Sequence, residues 1–156
     1  MLFRLKIWLY IWLLKNLYGY TKVSVKLLFA QSWHETGNFK SEVFKQNNNL
    51  FGMRHPKVRK TYSKGSNLSH AVFKSHFDSV RDYFERQKNF GISNTGDTNY
   101  SLETVASNYA TDPNYLQKWQ NVKKTIKAPT NNMFLLGGLF FLVLLTVLIY
   151  KRTKKF

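Results

Sequence analysis

From Met133 to Tyr150 the chain reads MFLLGGLFFLVLLTVLIY, eighteen residues without a charge and interrupted only by Gly137, Gly138 and Thr146. Wound as an α-helix, the run spans roughly 27 Å, close to the thickness of a bilayer's hydrocarbon core. A core helix of a water-soluble domain keeps a polar stripe, and this run has none on any face. It therefore predicts one membrane-spanning helix at 133–150, anchored at its far end by Tyr150 and the pair Lys151-Arg152. Residues 151–156 form a basic tail. The positive-inside rule puts that tail in the cytoplasm and the preceding domain on the non-cytoplasmic side of a single-pass protein. Residues 128–132 are the linker: Pro129 stops a preceding helix, and so short a tether keeps the domain near the lipid.

Residues 1–127 are enough for one compact domain. Arg4 and Lys6 ahead of the apolar run Ile7 to Leu14 resemble the start of a signal peptide, but no small-residue cleavage site follows. The segment reads as an aromatic-rich first helix closed by Gly19, with an uncleaved export signal as the alternative. A second helix opens with Thr21 as N-cap. Val23, Val25, Leu27, Leu28, Phe29, Ala30 and Trp33 are too many apolar residues for one face, so it is buried on most sides until it ends at His34-Glu35-Thr36-Gly37. A short helix at 41–46, an Asn47-Asn48-Asn49 turn and a hairpin with strands near 58–63 and 70–74 follow. Three further helices are expected: Asp78 to Phe90, Ser101 to Tyr109, and Pro113 to about Lys127, the last capped by Asp112. The fold class is mostly α, with a small β-hairpin lobe.

The 156 residues carry 24 Lys and Arg against 8 Asp and Glu. Removing the four bases of the tail leaves residues 1–127 with 20 bases and 8 acids, a net charge of +12. Such an excess points to a polyanionic setting and does not by itself choose among nucleic acid, anionic lipid and acidic wall polymer. No nucleic-acid-binding motif accompanies it, so no specific nucleic-acid partner is expected. Absence of Cys excludes disulfides, thiolate nucleophiles and thiolate metal sites. His34, His55, His70 and His76 have no ligand spacing, so neither a metal nor a cofactor is expected.

Glu35 stands out among the few acids. It closes a buried helix between Trp33 and Gly37, where partial loss of water raises a carboxyl's pKa and suits it to general-acid work. A solvated helix-end glutamate is the bland alternative. The helix dipole disfavours a carboxylate at this end, which weighs toward function.

Ala30-Gln31-Ser32-Trp33-His34-Glu35-Thr36-Gly37 followed by Asn49-Leu50-Phe51-Gly52-Met53-Arg54 resembles the "AQ…E-S/T-G" and "N-x-F-G" signatures of glucosaminidases. These form glycoside hydrolase family 73, within the lysozyme-like superfamily. Ala71-Val72-Phe73 with Asp78 to Tyr83, and Tyr109 to Tyr115, supply two more blocks in family order, so the resemblance covers residues 21 to about 125. Met53-Arg54 and Pro56 are reminiscent of sequences from Bacteroidetes and their phages. The resemblance implies cleavage of peptidoglycan glycan strands by a helical domain with a β-lobe flanking a groove. It assigns Glu35 as catalytic acid and Tyr109 as a tyrosine near the cleaved bond. It assigns Asn49, Phe51 and Tyr115 to substrate binding, with a turn residue as the plainer role for Asn49, a core aromatic as the favoured one for Phe51, and plain packing as the rival for both tyrosines.

The chain departs from the family at one place. Many members carry a second carboxylate on the β-lobe, yet residues 51–74 hold no Asp or Glu and instead hold Arg54, Lys57, Arg59, Lys60, Lys64 and Lys74. Glu42, Asp78 and Asp82 are the possible substitutes, and the last two read as helix-start and surface acids. Attack by the substrate's own N-acetyl oxygen, or closure to an anhydro-sugar as in lytic transglycosylases, needs no second acid. A wall-binding module without activity is the competing class. The expected partners are peptidoglycan and, through 133–150, the bilayer. Delivery in the membrane of a phage virion would bring such an enzyme to a wall without an export signal.

Overall fold

Six consecutive residues of helix α2 (Val25–Glu35), Leu27 to Ser32, are buried. A helix without a solvent face through its middle has to be enclosed by other elements. In a computed structural model, which describes residues 2–129, that enclosure comes from α1 (Leu2–Leu17), α4 (His76–Asn89) and α6 (Tyr115–Thr125). Residues Lys6–Ile126 form one compact unit. On α1, Ile7, Trp8, Ile11 and Leu14 recur at helical spacing and are buried, with Trp8 against Phe29 at 5.2 Å between rings. From α6, the Trp119 indole N–H donates to the Leu27 carbonyl at 2.8 Å, deep in the core. From α4, the Tyr83 hydroxyl donates to Gln31 Oε1 at 2.6 Å. The first helix is thus a working part of the core. It ends as expected at Gly19, whose φ of +86° suits the residue without a side chain.

The remaining elements are α3 (Glu42–Asn47), α5 (Asp97–Ala106) and a two-stranded antiparallel sheet of β1 (Ser66–Asn67) and β2 (His70–Ala71). The mostly helical class with a small hairpin is therefore correct. Among the described residues, no helix is long and apolar enough to cross a membrane. The expected span at 133–150, the tail and residues 130–132 of the linker lie outside the described residues.

Several boundaries differ from the sequence reading. Ser24, not Thr21, caps α2: its hydroxyl accepts from the Leu27 N–H while its own N–H and hydroxyl both donate to Asp97. That same carboxylate, paired with Lys123 at 2.6 Å, starts α5 at Asp97 rather than at Ser101. Acid at a helix N-terminus favours this earlier start. Helix α4 begins at His76, two residues before Asp78, because Ser75 supplies the cap. Helix α6 begins at Tyr115, after Asp112 has accepted from the Asn114 N–H.

The hairpin is shorter and turns later than the spacing suggests. Leu68 and Ser69 have φ of +51° and +58°, as a two-residue type I′ loop requires. Segment 58–63 is not a strand, because a side chain claims it. The buried Asp82 carboxylate accepts from Arg59 at 2.6 Å, from the Thr61 hydroxyl at 2.6 Å and from the Tyr62 N–H at 2.8 Å. Asp82 is thus no surface acid; it nails the basic lobe to α4. Removing one member of a buried ion pair leaves the other uncompensated. Asp82→Ala should therefore cost about 3–5 kcal/mol in urea unfolding at pH 7.

Candidate active site

The last residue of α2 is Glu35, and the backbone stops the helix there by an unusual device. Thr36 turns its hydroxyl back to the Ser32 carbonyl at 2.6 Å and accepts the Phe39 N–H at 2.9 Å. Gly37, Asn38 and Phe39 then take φ of +53°, +63° and +60°. Gly37 fits the expected left-handed cap, but Phe39 is a costly residue to place there, by roughly 1–2 kcal/mol. Its ring offsets that cost by packing 5.6 Å from each of Phe29, Trp33 and Phe44.

The carboxyl of Glu35 lies between two neighbours. The Tyr115 hydroxyl donates to Oε1. Gly52 lies at Oε2, so close that a Cβ there would stand 2.6 Å from that oxygen. With a φ of +60° as well, position 52 admits only glycine without strain. Burial pushes the Glu35 pKa up to about 7, and the Tyr115 hydrogen bond opposes part of that rise. A carboxyl so poised is present in both protonation states at neutral pH, as a general acid needs.

Gly52 is presented by the turn that follows the three asparagines. Asn49, fully buried, donates to the Met53 and Ala71 carbonyls at 2.8 and 3.0 Å and accepts from the Phe51 and Met53 N–H groups. Its amide is engaged inside the turn and has nothing left to offer a sugar. Phe51 is also buried, stacked on Tyr83 with ring centres 4.0 Å apart. The Tyr109 hydroxyl donates to the Phe51 carbonyl, next to Gly52. Tyr115 holds the acid, while Tyr109 holds the turn beside it.

A family model described as mannosyl-glycoprotein endo-beta-N-acetylglucosaminidase matches residues 13–128. The chain belongs to the glucosaminidase family. Three solved structures resemble this glucosaminidase. One is from a type VI secretion system effector-immunity complex of Pseudomonas protegens: 15% identity over 77% of this chain and 88% of that one, TM-score 0.61. A second is a peptidoglycan hydrolase from Sphingomonas sp. A1, 20% identical over 81% and 85%, TM-score 0.57. The third is a C-terminally truncated glycoside hydrolase domain from Salmonella typhimurium FlgJ, 22% identical over 78% and 93%, TM-score 0.53. At these identities the likeness is one of fold. Among curated proteins, none matches the chain in sequence.

The other seven acids of the glucosaminidase domain are all engaged. Glu42 holds Lys45, Asp78 the Ser75 hydroxyl, Asp82 Arg59, and Glu85 the Tyr18 hydroxyl. Asp97 holds Ser24 and Lys123, Glu103 Ser93, and Asp112 Lys118. No group of three His, Asp or Glu that could hold a metal forms among the described residues. His34 lies edge-on to Tyr115 at 5.5 Å, and burial lowers its pKa, so it is neutral at pH 7.

Sequence reading singled out neither Gly52 nor Gln31 as a site residue, although both stand in the quoted signatures. Gln31, wholly buried, donates to the Tyr115 hydroxyl at 3.2 Å. A glutamine in an otherwise apolar stretch of helix is the signal that could have marked it, since a buried amide demands partners.

The raised pKa of Glu35 carries a stability cost with a definite sign. The unfolded carboxyl ionises near 4.5, the folded one near 7. The penalty is therefore absent below pH 4.5, grows as pH rises through that window, and is complete above pH 7, at roughly 3 kcal/mol. Glu35→Gln should unfold at higher urea concentration than the parent at pH 8, and the advantage should vanish at pH 4.

Proposed function

We propose that this chain is a membrane-anchored enzyme that cleaves the glycan strand of peptidoglycan, with Glu35 as its general acid. The observation that carries the reading is one carboxyl, raised to about pH 7 and wedged between a donating tyrosine hydroxyl and a glycine, in a glucosaminidase domain. Two proteins of similar fold, described as a peptidoglycan hydrolase and a glycoside hydrolase domain, support the substrate class. So does the basic lobe, whose Arg54, Lys57, Lys60, Lys64 and Lys74 are exposed with no acid between residues 51 and 74. It suits an anionic wall polymer.

In this reading Glu35 gives its proton to the glycosidic oxygen as the bond to the anomeric carbon breaks. With no carboxylate on residues 51–74, positive charge on the sugar is met in this reading by the substrate itself. Its N-acetyl oxygen forms a cyclic intermediate that water then opens, or its own hydroxyl closes to an anhydro-sugar. The Glu35 carboxylate recovers the proton in either case. Tyr115 holds the acid, and Tyr109, Asn49 and Phe51 keep Gly52 and its turn in place against it.

The full chain in detergent should release muropeptides from purified sacculi. Reducing ends in the products mark hydrolysis and anhydro ends mark transglycosylation. Glu35→Gln should lower turnover by about 10²–10⁴-fold, and parent activity should fall as pH rises through 7, where the acid form is lost. Retention of glycan without release would make the domain a binding module instead.

The anchor is residues 133–150, with Lys151, Arg152, Lys154 and Lys155 in the cytoplasm and the domain outside. In membrane vesicles of known sidedness, externally added protease should digest the domain only where the non-cytoplasmic face is outward. Digestion from the cytoplasmic face would leave delivery in a virion, or release at lysis, as the route to the wall.

A further inference from the structure

Behind Glu35 the polar side chains of the core form a line in which each group has only one way to orient its protons. The line begins at Arg86, whose guanidinium can donate and never accept. Its Nη1 donates to Gln87 Oε1 at 2.8 Å, so the amide nitrogen of Gln87 must face the other way. That nitrogen donates to the Thr104 hydroxyl at 2.8 Å and to the Tyr83 hydroxyl at 3.2 Å. Thr104 cannot return a proton, because it donates its own to the Tyr100 carbonyl at 2.7 Å.

Tyr83 accepts a second time from the Tyr100 hydroxyl at 3.0 Å. Its single proton goes to Gln31 Oε1 at 2.6 Å. Gln31 is thereby oriented as well, and its Nε2 donates to the Tyr115 hydroxyl at 3.2 Å. Tyr115, an acceptor on that side, donates its proton to Oε1 of Glu35. Tyr83, Gln31, Gln87, Tyr100 and Thr104 are all buried, which raises the cost of a misdirected proton at any link.

We infer that this one-way line makes Glu35 Oε1 a permanent acceptor and so places the transferable proton on Oε2, the oxygen beside Gly52. The inference rests on the proposed role of Glu35 as general acid and adds which of its oxygens acts. Gly52 gains a reason in the same stroke: a Cβ there would occupy the space from which a glycosidic oxygen must approach Oε2. Gln31, Tyr83 and Gln87 are then positioning residues that act through Tyr115.

The ionisable groups that face Glu35 are few. Tyr115 from α6, Tyr109 from the segment before it and Tyr83 from α4 each sense its charge, and burial raises all three so that they stay neutral. His34, on α2 itself, is neutral at pH 7. The turn at residues 47–53 has no ionisable side chain. The three tyrosines keep their charge unchanged while Glu35 titrates, so the difference in midpoint between parent and variant reports the hydrogen bond it accepts.

The test follows the side-chain carboxyl resonance of Glu35 in the ¹³C-glutamate-labelled full chain in detergent, assigned by its loss in Glu35→Gln. Tyr115→Phe removes the donated hydrogen bond and should move the midpoint up by about one pH unit. Gln31→Met, which fills the same space without an amide, should move it in the same direction although it never touches Glu35. The double variant should match Tyr115→Phe alone. On sacculi, Gln31→Met should lower kcat about tenfold with KM unchanged. An unshifted Glu35 midpoint in Gln31→Met, beside a shifted one in Tyr115→Phe, would overturn the inference. Should Gln31→Met fail to fold, Tyr83→Phe keeps the ring on Phe51, removes only the hydroxyl, and is held to the same outcomes. The titration needs no turnover, so an active Glu35→Gln would sink the general-acid reading while leaving the proton's position separately measured.

Discussion

Withholding water from a carboxyl at the C-terminal end of a helix is unfavourable on two counts. Desolvation penalises its charge, and the helix dipole adds negative potential at the same place. The structure sustains this arrangement at Glu35 by burying the middle of α2, Leu27 to Ser32, and leaving its last turn, Trp33 to Glu35, only partly exposed. Trp119 closes one side, the stack of Phe51 on Tyr83 another, and the Phe39 cluster the end. The acid's chemistry is thus set by the core that it borders.

The remaining acids follow the opposite logic. Each accepts from a donor: a serine or tyrosine hydroxyl, an arginine or a lysine. Glu35 alone is pushed toward neutrality by burial, with a single tyrosine hydroxyl opposing the rise. That division is what lets a strongly basic domain hold a proton donor at neutral pH.

How much of this was legible in the residues depends on how local the determining interaction is. Glu35, the left-handed Gly37, the end of α1 at Gly19 and the all-round burial of α2 can be read from a few adjacent positions. The start of α2 could not, because Asp97, seventy-three residues away, decides that Ser24 caps it. The hairpin register was hidden for the same reason: Asp82 claims Arg59, Thr61 and Tyr62 and prevents a strand that their spacing favours. Asn49 looked like a sugar contact because an amide in a turn can serve either purpose, and only the geometry shows both its ends engaged. The assignment of Tyr115 over Tyr109 to the acid is likewise a matter of where two rings 5.9 Å apart aim their hydroxyls.

The left-handed run after Glu35 has a consequence for how the molecule forms. Local backbone preference in an unfolded chain does not favour three such residues in succession. What holds Phe39 in that state is a ring cluster drawn from α2 and α3, which exists only once those helices have docked. Thr36 and Gly37 give the helix a local stop, but the left-handed turn at Phe39 that follows has no local support. The turn that leads the chain away from the acid is therefore held by tertiary packing, while the helix end itself is local.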